Sequence, residues 1–396
     1  MSIARGAALY VGALLGPSLL LLPGLAAQLA GPASVVAWVG LLGLSGLLAW
    51  VFTALGTRIH DGGVVAYVTA GLGEAAGTAV GWCFRAGVVF GAPVVCLIGG
   101  TYVGGGRTAS VGFAVVLLVA VVVMTLGGAR IGTTVQLVLV GLLMALVALA
   151  VIGSAPSMRT ANWTPFAPHG WAAVGDAGAA LMLSFVGWEA IAPLTGRLRD
   201  PRRQLPKVIG IAFAVTAVVY LALAGTTIAV LGNRAGSAVP LADLLRVAVG
   251  KAGPVVAGVA AVALTLAATN AYINGATAMS RRRPHVWIVL AGVVLLGGVA
   301  SGVVTTAQLV AVPTTLFLTV YLGCTAAAVR VLSGRVRVAA GVACAVVLGV
   351  LVFCGWGLLV AFVIAATAVV GRKLRRSTAA GRAGVIPWRR DDALLR

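Results

Sequence analysis

Long apolar runs without a single charge set the rhythm of this chain. From residue 6 to residue 57 there is no Asp, Glu, Lys, Arg or His, and those 52 residues exceed twice the roughly 20 that one membrane-spanning helix requires. The run must hold two spans. The same reasoning along the sequence predicts helices over 7–30, 33–55, 78–104, 109–127, 131–153, 172–197, 206–232, 253–280, 286–304, 308–331, 338–354 and 356–371. Residues 338–371 form a charge-free run of 34, which as one helix would measure about 50 Å against a ~30 Å hydrocarbon core. Cys354-Gly355-Trp356-Gly357 is the expected turn, with Trp356 at the outer interface. Two spans carry helix breakers at comparable depth: Gly16-Pro17-Ser18 with Pro23-Gly24 in the first, and Gly187 in the sixth.

Composition agrees with the pattern. The chain is 61% hydrophobic and 9% charged, with a mean hydropathy of +1.11, which places it among all-α polytopic membrane proteins. The apolar stretch behind Arg5 is too long for a signal peptide and is expected to be an uncleaved first helix. A net charge of +20 is no nucleic-acid footprint, because the charges lie in short clusters between apolar spans. With twelve spans and both termini cytoplasmic, 22 of the 28 basic residues fall inside, as the positive-inside rule requires. Arg107, Arg159, Arg234, Arg246 and Lys251 fall outside, and Arg85 lies within a span. The clusters at 197–203 and 372–396 are expected to meet anionic membrane lipid. The five cysteines have no paired spacing and no histidine nearby, so neither disulfides nor a metal site is expected.

Candidate chemistry begins with Glu189, the one carboxylate deep inside an apolar span. Such a charge costs roughly 2.5–3.5 kcal/mol on insertion scales and is read as functional by default. Its candidate roles are proton carrier, gate between half-helices, or structural acid. Arg85 could pair with it, or could snorkel to the interface. At the first break, the freed N–H groups of Ser18 and Leu19 beside Gly16, with the Ser18 hydroxyl, suit a carboxylate; Pro17 has no N–H to give. At the sixth, the carbonyls of Ser184, Phe185 and Val186 beside Gly187 suit an ammonium group. Zwitterion recognition follows. Thr265 with Thr269, and Asn270 with Asn274, are i,i+4 pairs that could supply oxygen ligands to an ion or hydrogen bonds between helices. No cofactor is expected; the coupling ion could be a proton or sodium. No span carries the paired aspartates, His-Glu-x-x-His or Ser/His arrangement of an intramembrane enzyme.

These residues together resemble the amino acid, polyamine and organocation permeases. The resemblance rests on Gly12-x-x-x-Gly16-x-Ser18-Leu19 with Pro23-Gly24, Asp61-Gly62-Gly63-Val64-Val65-Ala66-Tyr67, Gly81-Trp82, and Phe185-Val186-Gly187-Trp188-Glu189 running on to Arg199-Asp200-Pro201. Within that family the chain is most similar to the branch exporting methionine and branched-chain amino acids, through Asn270-x-Tyr272-Ile273, Val320-Tyr321-Leu322, Arg330 and Gly355-Trp356. It departs at Pro17, where a small residue is usual, and in the short loop Ser280-Arg281-Arg282-Arg283-Pro284. The resemblance implies one transmembrane domain over 1–371 in the plasma membrane. Its parts would be a five-plus-five inverted repeat (7–153 and 172–331) with helices one and six broken, a peripheral pair (338–371) and a basic tail (372–396). It also implies transport of small apolar amino acids, with carboxylate at the first break and amine at the sixth. Uptake or exchange of other amino acids, or sensing without turnover, are the alternative functions.

Overall fold

Where the sequence is apolar and uncharged, the backbone is helical, because within a membrane only a helix satisfies its own N–H and C=O groups along a single segment. The computed structural model describes residues 2–59, 63–188, 198, 200–278 and 284–383. The helices are α1 (Ile3–Leu14), α2 (Ser18–Ala30), α3 (Ser34–Arg58), α4 (Gly63–Leu72), α5 (Glu74–Val103), α6 (Arg107–Leu126), α7 (Thr133–Ser154) and α8 (Ala172–Leu181). They continue with α9 (Pro201–Leu231), α10 (Pro240–Val249), α11 (Ala252–Ala278), α12 (Pro284–Ala300), α13 (Thr306–Val331), α14 (Gly334–Val352) and α15 (Gly357–Ala383). Among the described residues there is no strand. The protein is all-α and polytopic: among the described residues eight helical runs are long and apolar enough to cross a membrane, and five shorter apolar helices accompany them. The breaks explain part of the shortness, since they divide the first span into α1 and α2 and end α8 after ten residues.

Two predicted boundaries shift and two helices are added, each for a local reason. The helix expected from residue 206 starts at Pro201, because Asp200 caps it by accepting from the Arg203 N–H (3.3 Å) and proline suits the first turn. Two ten-residue helices, α4 and α10, escaped a search tuned to span length. α4 is short and uncharged and buries Val64, Tyr67 and Val68, whereas α10 is amphipathic and buries Leu241, Leu244 and Leu245 while Arg246 faces out. The last helix does not stop at 371; its apolar part ends there, but the helix runs to Ala383. The turn at 353–356 is where the sequence placed it, with Gly355 at φ +53 and Trp356 exposed.

The core is organised around α5 and α13, whose apolar windows are 67% and 72% buried. Around α5 pack α4, α6, α11, α12 and α15 as well as α13. By contrast the windows on α7 and α14 are only 22% and 28% buried. Their exposed side chains, such as Val138, Ile152, Val338 and Val352, are apolar, which makes this surface a lipid face rather than a solvated one. The half-helix α1 lies against α9 and α7, while α2 lies against α8. Both breaks are thereby held inside the bundle.

Candidate functional site

A helix that stops inside an apolar bundle leaves carbonyls and amides without partners, and each must be satisfied where water is scarce. Tyrosines supply most of the answer here. Tyr220 of α9 places its hydroxyl 2.8 Å from the Leu14 carbonyl, the last of α1, and 2.7 Å from the Ser184 carbonyl. One hydroxyl thus spans both breaks. Tyr321 of α13 donates to the Phe185 carbonyl (3.2 Å) and accepts from the Gly187 N–H (3.1 Å), replacing the helical turn that the chain abandons. Tyr10 donates to the Trp188 carbonyl (3.0 Å), and Tyr102 to the Leu20 carbonyl (2.6 Å).

Packing fixes these hydroxyls in place. The Tyr220 ring lies 4.9 Å from Trp38 and 5.3 Å from Phe185, and Tyr321 meets Phe52 edge-on at 5.5 Å. Trp188, fully buried, donates its indole N–H to the Ser45 hydroxyl of α3 (3.0 Å). Beyond α8 the chain passes through a 3-10 turn, Met182–Phe185, then an extended Val186 (ψ 126) and Gly187 at φ +147. A Cβ on Gly187 would lie 2.9 Å from the Ala13 carbonyl oxygen. Glycine is required there twice over, by its backbone angle and by the approach of α1.

Between the breaks lies a cavity of about 30 Å³. Ala13, Leu14, Gly16, Pro17 and Ser18 form one side, Leu183 and Val186 another, and Gly87, Val88, Gly91 and Val95 of α5 a third; Tyr272 and Phe317 close it. No charged side chain lines it. It holds water rather than a whole amino acid, so a larger occupant needs the walls to part.

Of the residues singled out by sequence, Gly16, Pro17, Ser18 and Val186 line this cavity. Leu19, Ser184, Phe185 and Gly187 do not; they hold the breaks. The Leu19 N–H, expected to be a free donor, instead donates to the Gly16 carbonyl at 3.1 Å, because Ser18 starts α2 with a tight turn. The amides of Gly16 and Ser18 have no backbone acceptor among the described residues. The Ser184 and Phe185 carbonyls, expected to be open, carry the Tyr220 and Tyr321 hydroxyls. Thr265, Thr269, Asn270 and Asn274 also lie away from the cavity. Asn270 accepts from the Ile131 N–H (3.0 Å) and donates to the Ala129 carbonyl (3.1 Å), and Asn274 donates to Asn270. Asn270 thus ties α11 to the turn before α7, and Asn274 supports it from the next turn of the same helix. Thr269 faces the Cys96 thiol at 4.0 Å, and the buried Thr265 hydroxyl has no hydrogen-bond partner among the described residues.

Arg85 lays its guanidinium 5.4 Å from the ring centre of the exposed Trp82. Its suggested partner Glu189 lies outside the described residues, as do Asp61, Gly62, most of 189–199, 279–283 and the tail beyond 383. Sequence reasoning missed the α5 wall and Tyr220. The signals were present: Gly87-x-x-x-Gly91 is a pair one turn apart, and Tyr220 is the one tyrosine in the apolar run 208–231.

Comparison with known proteins bears on the same elements. A family model described as amino acid permease matches residues 2–282, which include both breaks. An uncharacterised amino acid permease of Bacillus subtilis (strain 168), YecA, is 29% identical over 91% of this chain and 92% of its own length. The L-methionine/branched-chain amino acid exporter YjeH of Escherichia coli (strain K12) is 31% identical over 58% of this chain and 56% of its own. The branched-chain amino acid permease BcaP of Bacillus subtilis is 25% identical over 54% and 51%. A matched segment that covers the two breaks and all of the cavity lining but Phe317 shows that this chain belongs to the amino acid permease family, within the amino acid, polyamine and organocation superfamily: a multi-pass transporter of amino acids, not an enzyme.

Proposed function

We propose that this permease is a secondary active transporter of small, mostly apolar amino acids, exporting methionine and branched-chain amino acids across the plasma membrane by alternating access. The observation that carries this reading is the cavity at which both breaks converge, with polar backbone on one side and Val88, Val95, Leu183 and Phe317 around the rest. The amides of Gly16 and Ser18 would hold the substrate carboxylate at the start of α2, where the helix dipole favours negative charge. The Val186 carbonyl would take the ammonium, and the apolar wall the side chain. A charged side chain entering that wall would lose its hydration without a partner.

Alternating access would run through the tyrosine contacts. Because Tyr220 joins α9 to both breaks, a movement of α1 away from α8 must break at least one of its hydrogen bonds. Glu189, just past the second break, would act as gate or proton carrier. Proton coupling is the primary reading; sodium, with Thr265 and Thr269 among its oxygen ligands, is the alternative. The orientation follows the positive-inside distribution, with both termini cytoplasmic. The architecture would be a five-plus-five inverted repeat over 7–153 and 172–331, with 338–371 as a peripheral hairpin. Export is favoured over uptake by the similarity to the exporter branch through the motifs at 270–273 and 320–322; uptake is the second reading, favoured by the similarity to BcaP.

The test of direction is an inside-out vesicle assay with the full chain and labelled leucine and methionine. Accumulation driven by an acid vesicle interior, protons leaving as substrate enters, and lost in Glu189→Gln, is the expected result. Transport that is indifferent to the gradient in the wild type would overturn proton-coupled export.

A further inference from the structure

A second cavity, of about 810 Å³, lies among the last turns of α2, the end of α5, the start of α6, residues 237–239 and the connection from α12 to α13. Its size falls within the range of small-molecule sites. Hydroxyl and amide side chains of Gln28, Thr101, Ser110, Ser237 and Thr305 line it. Arg107 is its one charged lining residue. Among the described residues this guanidinium has neither an ion pair nor a hydrogen bond. The acid that follows the 237–239 segment, Asp243, is already engaged by the Ser237 hydroxyl (2.6 Å) and by Arg246 (3.7 Å). A Cβ on Gly302 would lie 2.7 Å from Arg107 Nη1, so the guanidinium reaches across from α6 and rests on a residue with no side chain.

An exposed arginine is ordinarily just solvated. This one sits over a cavity whose walls mix hydroxyl and amide side chains with apolar ones and hold no acid, so the site offers an anion a charge partner without supplying a competing one. The half-helix α2 also connects the two cavities: Gly16, Pro17 and Ser18 at its start border the midplane cavity, and Leu25, Gln28 and Leu29 near its end border this one. We propose that this vestibule binds the carboxylate of an amino acid passing between the midplane and the outer solution, with Arg107 as its charge partner. The proposal rests on the transport reading above and on the outward placement of this end of the bundle. Recognition here needs the carboxylate and not the ammonium, so a deaminated analogue is bound as well as the amino acid.

The test is titration calorimetry of the solubilised full chain with 4-methylpentanoate, the carboxylate of leucine without its amine. The wild type is expected to bind. Arg107→Gln weakens binding about ten-fold or more, as loss of a charge-assisted hydrogen bond requires, Arg107→Lys recovers part of it, and Gly91→Leu, which fills the midplane cavity, retains it. In proteoliposomes of defined orientation, Arg107→Gln raises KM for leucine on the vestibule side alone. No binding to the wild type, equal binding to Arg107→Gln, loss of binding in Gly91→Leu, or an equal rise of KM on both sides would overturn the proposal. If 4-methylpentanoate binding depends on Arg107 while leucine exchange is absent, the vestibule stands and the transport reading fails.

Discussion

Tyr220 has one proton and two carbonyls within reach of it, whereas Tyr321 both gives and receives. The two residues therefore differ in what their removal does. Tyr220→Phe leaves one further buried carbonyl unpaired, ~1–3 kcal/mol, and shifts the balance between conformations about five-fold or more; a changed leucine exchange rate with a modest loss of thermal stability is the expected outcome. Tyr321→Phe takes partners from the Phe185 carbonyl and the Gly187 N–H together, at ~1–3 kcal/mol for each buried group left unpaired. Its melting temperature in detergent should fall clearly below that of Tyr220→Phe. Equal stability of the two variants would count against tyrosines as replacements for helical hydrogen bonds. The sequence revealed where the helices break, because Pro17 and Gly187 are local features. It did not reveal what satisfies the breaks, because Tyr220 and Tyr321 lie 33 and 134 residues beyond Gly187 and their contact depends on packing alone.

At the scale of helices, α5 shapes the midplane cavity through its lack of side chains. Gly87 faces the Phe317 ring, with a Cβ 3.0 Å from it, while Gly91 has room, its Cβ 3.8 Å from Pro313. A larger residue at 91 can therefore be accommodated by the fold and would fill the cavity. Gly91→Val should keep alanine transport within a few-fold of the wild type while lowering leucine and methionine transport about ten-fold or more, as overpacking of ~1–3 kcal/mol implies. Equal losses for alanine and leucine would detach Gly91 from side-chain selection. For α11, Asn270→Ala should lower the melting temperature by releasing the 129–131 turn, with the ion dependence of transport unchanged. A lost sodium dependence in that variant would return Asn270 to the ion-ligand role. The i,i+4 spacing of Asn270 and Asn274 was readable, but spacing does not distinguish a ligand from a clamp. The short helices α4 and α10 were invisible for a different reason: ten residues, with three buried positions in α4 and five in α10, carry too little periodic signal beside spans of twenty or more.

For the whole molecule, chain-long hydropathy made the all-α membrane class and most helix limits legible, since a lipid-facing surface demands uniform apolarity that no tertiary context overrides. The cavity walls were less legible, because they assemble from α1, α2, α5, α11 and α13 and from the segment after α8, far apart in sequence. The two breaks meet at one apolar cavity, and the proposal of transport makes this cavity the substrate site. The most direct measurement is a leucine-bound structure of the full chain in lipid nanodiscs. The account predicts the leucine carboxylate at the Gly16 and Ser18 amides, its ammonium at the Val186 carbonyl, and its side chain between Val88 and Phe317. Leucine seated elsewhere, with the Gly16 break and the α5 wall untouched, would contradict it.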